Sequence, residues 1–240
     1  MALPDHFAGL HIVNSEESRY VFPHACHLEL AMAIDANLHR HGDTLEILVG
    51  EGRRCFTVHQ HLICAKSKYF ADKCSRQEWS GRNKTITLRE TEGVVFEAYW
   101  NWVYFGVVRY DFDDHISVSE ASTRRVKLYV LARKFQDTRL ANSVMTEFID
   151  TYDADVVVGG LPGPGTVTWL YDHLEGHSPM KVVIVDIYIG RILPNILANC
   201  IGEFPRQFVD SYAIKAGQNM WRAVIARPSN QRQLYRLAEE

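Results

Sequence analysis

The fold is decided by residues 56–70, which read FTVHQHLICAKSKYF. Phe56 and Val58 alternate with more polar neighbours, which is the two-residue period of a half-buried strand. After Val58 the apolar residues follow a helical period, and Ser67 stands where its side-chain oxygen can cap a further turn that ends on Phe70. The segment therefore predicts a strand followed by two short helices.

Two more strands are predicted on either side of this segment. Apolar residues alternate over 45–49, and a Glu-Gly pair at 51–52 separates them from the strand at 55–58, so the two strands should form a hairpin. The alternation recurs over 85–88, which predicts a third strand.

The next predicted elements are helical. Apolar residues over 95–103 share one broad face of a helix that Gly106 should end, and those over 128–135 line one face of the next helix. Asp137 is suited to cap a further helix over 140–148. The predicted order from the first strand is therefore β-β-α-α-β-α-α-α.

The segment before the first strand, residues 1–42, is predicted to be an extension with one helix. That helix spans about 27–39, where apolar residues repeat at four-residue spacing. The repeating residues are Leu30, Ile34 and Leu38. We expect the main domain to occupy 43–150.

Residues 151–240 are predicted to form a helical C-terminal region. A Gly/Pro-rich run at 159–165 breaks the periodicity and is expected to be a linker. Helical patterns then follow over 169–174, 181–197 and 208–225.

Composition excludes several classes of function. A chain of 240 residues with 47% hydrophobic content can bury a core, and a formal net charge of -3 gives no basic footprint for nucleic acid. The five cysteines show no CxxC spacing, which favours a reducing compartment. No apolar segment is long enough for a membrane span. We expect a soluble intracellular protein, cytoplasmic or nuclear, that binds neither nucleic acid nor membrane.

Patterns typical of catalysis are absent from the sequence. The Gly/Pro-rich run lacks the Gly-Lys-Ser/Thr ending that engages phosphate and magnesium, and there is no Gly-x-Ser-x-Gly elbow. His59 and His61 are too closely spaced at a helix start to point in one direction. We therefore predict no catalytic, cofactor-binding or metal-binding residues and no cofactor.

The sequence resembles the BTB/POZ family, in which a strand ends in Val-His and a helix runs to Ser-x-x-Phe. The resemblance implies an α+β fold: a small β-sheet flanked by a cluster of α-helices, here with a mainly helical C-terminal extension similar to that of BTB proteins of filamentous fungi. Its matching residues are expected to be structural. They are Asp43, Phe56, Val58, His59, Ile63, Ser67, Phe70, Tyr104 and Gly106.

The resemblance implies a non-catalytic module for protein–protein interaction, a homo-oligomeric scaffold or adaptor. Many BTB domains form homodimers through the helix before the first strand and the adjoining edge, and a symmetric interface uses the same patch twice. The corresponding candidates here are Leu30, Ile34, Leu38 and Leu45. The partner expected first is therefore a second copy of this chain.

A second expectation is a substrate adaptor of a cullin-RING ubiquitin ligase. Such adaptors carry a hydrophobic-x-acidic triplet shortly before the helix that here contains residues 128–135. The closest register holds Arg124 and Val126, whereas Val118 and Glu120 have the required chemistry further upstream. A cullin is thus a candidate partner, with Val118 and Glu120 as its contacts.

A third expectation, transcriptional regulation, has less support. Repressor members of the family pair the aspartate before the first strand with a basic residue after Val-His, but here Asp43 faces the neutral Gln60. Loss of the positive residue should weaken any charged pocket there. Independently of the family, Trp102 lies off the main apolar face of its helix and is a candidate partner contact, since aromatic residues are enriched in binding hot spots.

Overall fold

The computed structural model describes residues 43–76, 84–109, 117–153, 161–191 and 194–219. The described strands form one sheet of three, in the order β2-β1-β3. β1 is antiparallel to β2 and parallel to β3. The strands are β1 (Thr44–Val49), β2 (Arg54–His59) and β3 (Thr85–Leu88).

The register of the hairpin explains the alternation in the sequence. Leu45 pairs with Val58 and Ile47 pairs with Phe56, so the apolar residues of both strands fall on the same buried face. Gly50 turns the chain with a φ of 74°, a left-handed conformation that suits glycine. The predicted hairpin is therefore confirmed.

Five helices complete the first part of the described chain, in the predicted order. Gly106 ends the third of them in a left-handed conformation, with its N–H bonded to the carbonyl of Trp102 at 3.0 Å. The helices are α1 (Gln60–Lys66), α2 (Lys68–Arg76), α3 (Gly93–Phe105), α4 (Val118–Lys134) and α5 (Thr138–Asp153).

The region after α5 is helical, as predicted, but its helices begin and end at different residues. They are α6 (Pro164–His173), α7 (Pro179–Arg191), α8 (Pro194–Cys200) and α9 (Arg206–Asn219), with a 3₁₀ turn at Ile201–Glu203. None of the described helices is long and apolar enough to cross a membrane.

Two differences from the sequence expectation involve proline. Within the range 181–197, predicted as one helix, the structure describes two: α7 ends at Arg191 and α8 starts at Pro194. Proline has no N–H for the helical ladder and is tolerated in a first turn, which is where Pro194 stands. Part of the Gly/Pro-rich run is also helical: Gly163 is the N-cap of α6 and Pro164 its first residue.

The core of the first part is an aromatic cluster centred on Phe135, the residue that ends α4. Its ring lies 4.8 Å from that of Phe70, 4.9 Å from that of Tyr99 and 5.2 Å from that of Tyr69, measured between centroids. Phe70, Tyr99 and Phe135 are fully buried. One residue therefore joins three helices of the α-helical cluster.

The C-terminal helices continue the packing of α4 and α5. Thr123 Oγ1 of α4 lies 2.8 Å from Thr166 Oγ1 at the start of α6, and α7 packs against α5. Buried Asp186, the acidic residue within the apolar α7, forms an ion pair with Lys215 of α9. The small sheet, its helices and the helical C-terminal region together confirm the predicted α+β class.

Candidate interaction surface

Ser67 stands between α1 and α2 and connects this junction to the end of α4. Its hydroxyl donates a 2.7 Å hydrogen bond to the carbonyl of Phe135 and accepts one from the N–H of Phe70 at 3.3 Å. The side chain is fully buried. The Ser-x-x-Phe pattern is therefore structural: the serine fixes the first turn of α2 and the phenylalanine fills the aromatic cluster.

His59 is fixed by Tyr104 of α3. The His59 N–H donates to the Tyr104 hydroxyl at 3.1 Å, and the same hydroxyl lies 2.8 Å from His59 Nδ1. Burial raises the pKa of Tyr104, opposed by its bond with His59, so the phenol stays protonated and can donate to the ring nitrogen. This pair ties the end of β2 to the end of α3.

Trp102 lies two residues before Tyr104 on α3, and its side chain contacts the junction between α4 and α5. The indole N–H donates to Asp137 Oδ2 at 2.9 Å. Lys66 Nζ donates to the Trp102 carbonyl at 2.8 Å and lies 4.6 Å from the centre of the indole ring. Trp102 is half-buried, so part of this predicted contact residue remains accessible.

Asp137 performs two structural tasks at this junction. Its Oδ1 accepts the N–H of Leu140 at 2.9 Å, which caps α5 as predicted, while its Oδ2 holds Trp102. Burial raises the pKa of Asp137, and the bonds from Leu140 and Trp102 and the charge of Lys66 oppose that rise. Burial likewise lowers the pKa of Lys66, opposed by Asp137. The two charges partly compensate for each other's desolvation.

A depression of about 720 Å³ opens over this junction. Its wall contains four cationic side chains and one anionic one, Asp137, which is already engaged. The cationic residues are Lys66, Lys68, Arg133 and Arg139. We call the surface defined by these four residues and Trp102 the basic depression.

A second depression, of about 560 Å³, borders the first. Trp102 and Arg139 line both, but the remaining residues of the second lie along α5 and include Glu147 and Asp150. The excess of cations is therefore limited to the basic depression.

A thiol in the wall of the basic depression has little nucleophilic character. Burial, and then hydrogen bonding to the thiol of Cys74, raise the pKa of Cys64 to about 12. Because the thiolate is the reactive form, Cys64 is almost wholly unreactive at neutral pH. Among the described residues, no cluster of three or more His, Cys, Asp or Glu side chains could hold a metal ion.

The charged pair at the start of β1 differs from the sequence expectation. Gln60 does not leave Asp43 without a cation, because Lys84, just before β3, takes that position. Its Nζ lies 2.6 Å from Asp43 Oδ2 and 2.9 Å from Gln60 Oε1. The inference that the positive residue is lost was therefore wrong. The cation is supplied by a different part of the chain, so comparing position 60 alone with the family pattern could not reveal it.

The triplet proposed to contact a cullin forms the first turn of α4. Val118 is 46% exposed, and Glu120 is also exposed, with its carboxylate 2.6 Å from the guanidinium of Arg124. Ser117 caps this turn by accepting the N–H of Glu120. In the closer register Val126 is fully buried, so it presents no surface to a partner.

The residues proposed for a dimer interface fall in two groups. Leu30, Ile34 and Leu38 lie outside the described residues. Leu45 is fully buried on the core face of β1, so it would support an interface by holding the strand and not by direct contact. The dimer interface stays a prediction.

Comparison with known proteins gives a likeness in structure but none in sequence. No family model and no curated protein matches the sequence. Among solved structures, the chain is similar to the BTB (Tramtrack and Bric a brac) domain of human gigaxonin, with 16% sequence identity and a TM-score of 0.37. The match covers 55% of this chain and 98% of that domain.

Proposed function

We propose that this chain is a non-catalytic protein-interaction module, a BTB/POZ-type domain at 43–150 that serves as a homo-oligomeric scaffold or adaptor. One observation carries the proposal: the residues that resemble the family's signature are those that tie the fold together. Ser67 joins α1 and α2 to α4, and His59 joins β2 to α3. The signature residues therefore stabilise the fold, and a partner would be bound by other residues at the surface.

The surface offers features suited to holding a protein partner. Trp102 is half-buried between two open depressions, and it is held in place by Asp137 and Lys66. A tryptophan fixed in this way loses little side-chain entropy when a partner covers it, which is the property of a binding hot spot.

Self-association is expected at micromolar concentration. The full chain should elute with twice its 27.5 kDa mass in size-exclusion chromatography with light scattering. Ile34→Asp should give a monomer if the helix predicted over 27–39 forms the interface, because a charge cannot be buried there without a partner.

The matched control for this experiment is Ile214→Asp on α9, where the side chain is already 64% exposed. This control should leave the mass unchanged. A wild-type chain that is monomeric across the concentration range contradicts the homo-oligomeric scaffold.

We keep one alternative, a substrate adaptor of a cullin-RING ligase, because the first turn of α4 presents Val118 and Glu120 to solvent. Val118→Asp should abolish co-purification with a cullin from the same cells, since it replaces the apolar residue of the triplet by a charged one. Val107→Asp is the matched control, because Val107 is 43% exposed and lies outside the triplet. Retrieval of no cullin by the wild-type chain would exclude the alternative.

A further inference from the structure

The basic depression carries more positive charge than its own residues can neutralise. Lys68, Arg133 and Arg139 are exposed, and within the described part of the chain none of the three has an acidic side chain within 4 Å. Asp137 is the one acidic residue of the wall, and it is engaged by Trp102 and Leu140. The four cations of the basic depression therefore exceed its one carboxylate, whose charge Lys66 and Arg139 share.

This concentration of charge contrasts with the rest of the chain. The formal net charge is -3, and exposed cations on other surfaces include paired ones: Arg54 with Glu97 at 2.8 Å and Arg206 with Asp210 at 3.7 Å. A local positive potential in a concave site attracts and orients an anionic partner.

We propose that the basic depression binds an acidic linear segment of a partner protein, whose carboxylates pair with Lys68, Arg133 and Arg139 while its backbone lies against Trp102. The inference rests on the proposed interaction function and names the chemical class of the partner. Guanidinium groups form bidentate bonds with carboxylates, and the indole adds an apolar contact beside them.

The second depression limits how far such a segment can extend. Its lining holds one cation, Arg139, and two acidic residues, Glu147 and Asp150, of which Glu147 lies 3.4 Å from Arg125. Carboxylates beyond Trp102 would therefore meet fewer cations than in the basic depression. The acidic part of the segment is therefore placed in the depression of about 720 Å³, on the side of Trp102 that holds four cations. A nucleic acid has a continuous line of phosphates, so it fits one bounded group of four cations less well than a short acidic peptide does.

The test uses a fluorescein-labelled peptide in which glutamate alternates with serine, and a matched peptide with glutamine in place of glutamate. Fluorescence anisotropy with the full chain at low salt should show binding of the first peptide and not of the second. Adding salt to physiological strength should weaken that binding, since exposed charge pairs are screened over about 8 Å.

Charge-reversal variants locate the binding. The triple variant Lys68→Glu, Arg133→Glu and Arg139→Glu should lower the affinity at least about tenfold. The control triple, Lys73→Glu, Arg89→Glu and Arg206→Glu, changes three exposed residues elsewhere by the same net charge and should lower affinity less than about threefold. Circular dichroism checks that both variants fold.

Three results would overturn the inference: no binding of the glutamate peptide, equal losses in the two triple variants, or tighter binding of a DNA duplex than of the peptide. Light scattering on the same samples separates this inference from the proposed scaffold. If the chain is a dimer that does not bind the peptide, only the proposal of an acidic partner is refuted. If the chain is a monomer that binds the peptide, only the homo-oligomeric scaffold is refuted.

Discussion

Phe135→Ala should lower the free energy of unfolding by about 4 kcal/mol. Phe135 is fully buried and contacts the rings of Tyr69, Phe70, Phe96 and Tyr99 within 6.3 Å, so its removal opens a cavity that three helices share. Helices cannot all move inward to fill one cavity, and most of the lost contacts will not be recovered.

Urea denaturation followed by circular dichroism measures this effect as a shift in the midpoint. Phe135→Leu keeps part of the side-chain volume and should lower the free energy of unfolding by about half as much. The effect can therefore still be measured if the alanine variant does not fold. Ile214→Ala, at a position 64% exposed, should change stability by less than about 0.5 kcal/mol. A loss below about 1 kcal/mol for Phe135→Ala would contradict the central position of this ring.

Ser67→Ala should lower the free energy of unfolding by about 2 kcal/mol, although it removes a single oxygen. That oxygen donates to the Phe135 carbonyl and accepts from the Phe70 N–H, and no water can reach the fully buried site to replace it. The change therefore removes two hydrogen bonds and leaves the Phe70 N–H without its acceptor.

The matched control is Ser75→Ala, within the helix α2 that Ser67 precedes. Ser75 is exposed, and its hydroxyl bonds only the carbonyl of Asp72, so its loss should cost less than about 0.5 kcal/mol. Equal losses for the two serines in urea denaturation would show that Ser67 acts through helix propensity and not through its link to α4.

The order of strands and helices over 43–153 could be predicted because local signals set it. The alternation of apolar and polar residues identified the strands. The helix boundaries at Ser67, Asp137 and Gly106 depend on contacts within four residues along the chain, so they too could be identified from the sequence. After Tyr152 the prediction was less accurate, because the apolar period continues past Pro194, where a separate described helix begins.

The candidate surface could be predicted only in part. Trp102 stood out because it breaks the apolar period of its helix, and it does remain half-buried at the surface. Its partners Lys66 and Asp137 lie 36 and 35 residues away along the chain, on other elements, so no periodicity connects them. The residues of the basic depression come from five helices, α1 to α5. Its charge is a property of tertiary packing.

The ion pair between Lys84 and Asp43 has a consequence for how related chains diverge. The cation reaches the aspartate from β3's side of the sheet, 41 residues along the chain, and Gln60 accepts its second hydrogen bond. A lysine or arginine at position 60 would repel Lys84, so the two basic residues are alternatives. Across homologues, substitutions at positions 60 and 84 should therefore be inherited as linked exchanges. Selection would then preserve the charge beside Asp43 while its position in the sequence changes.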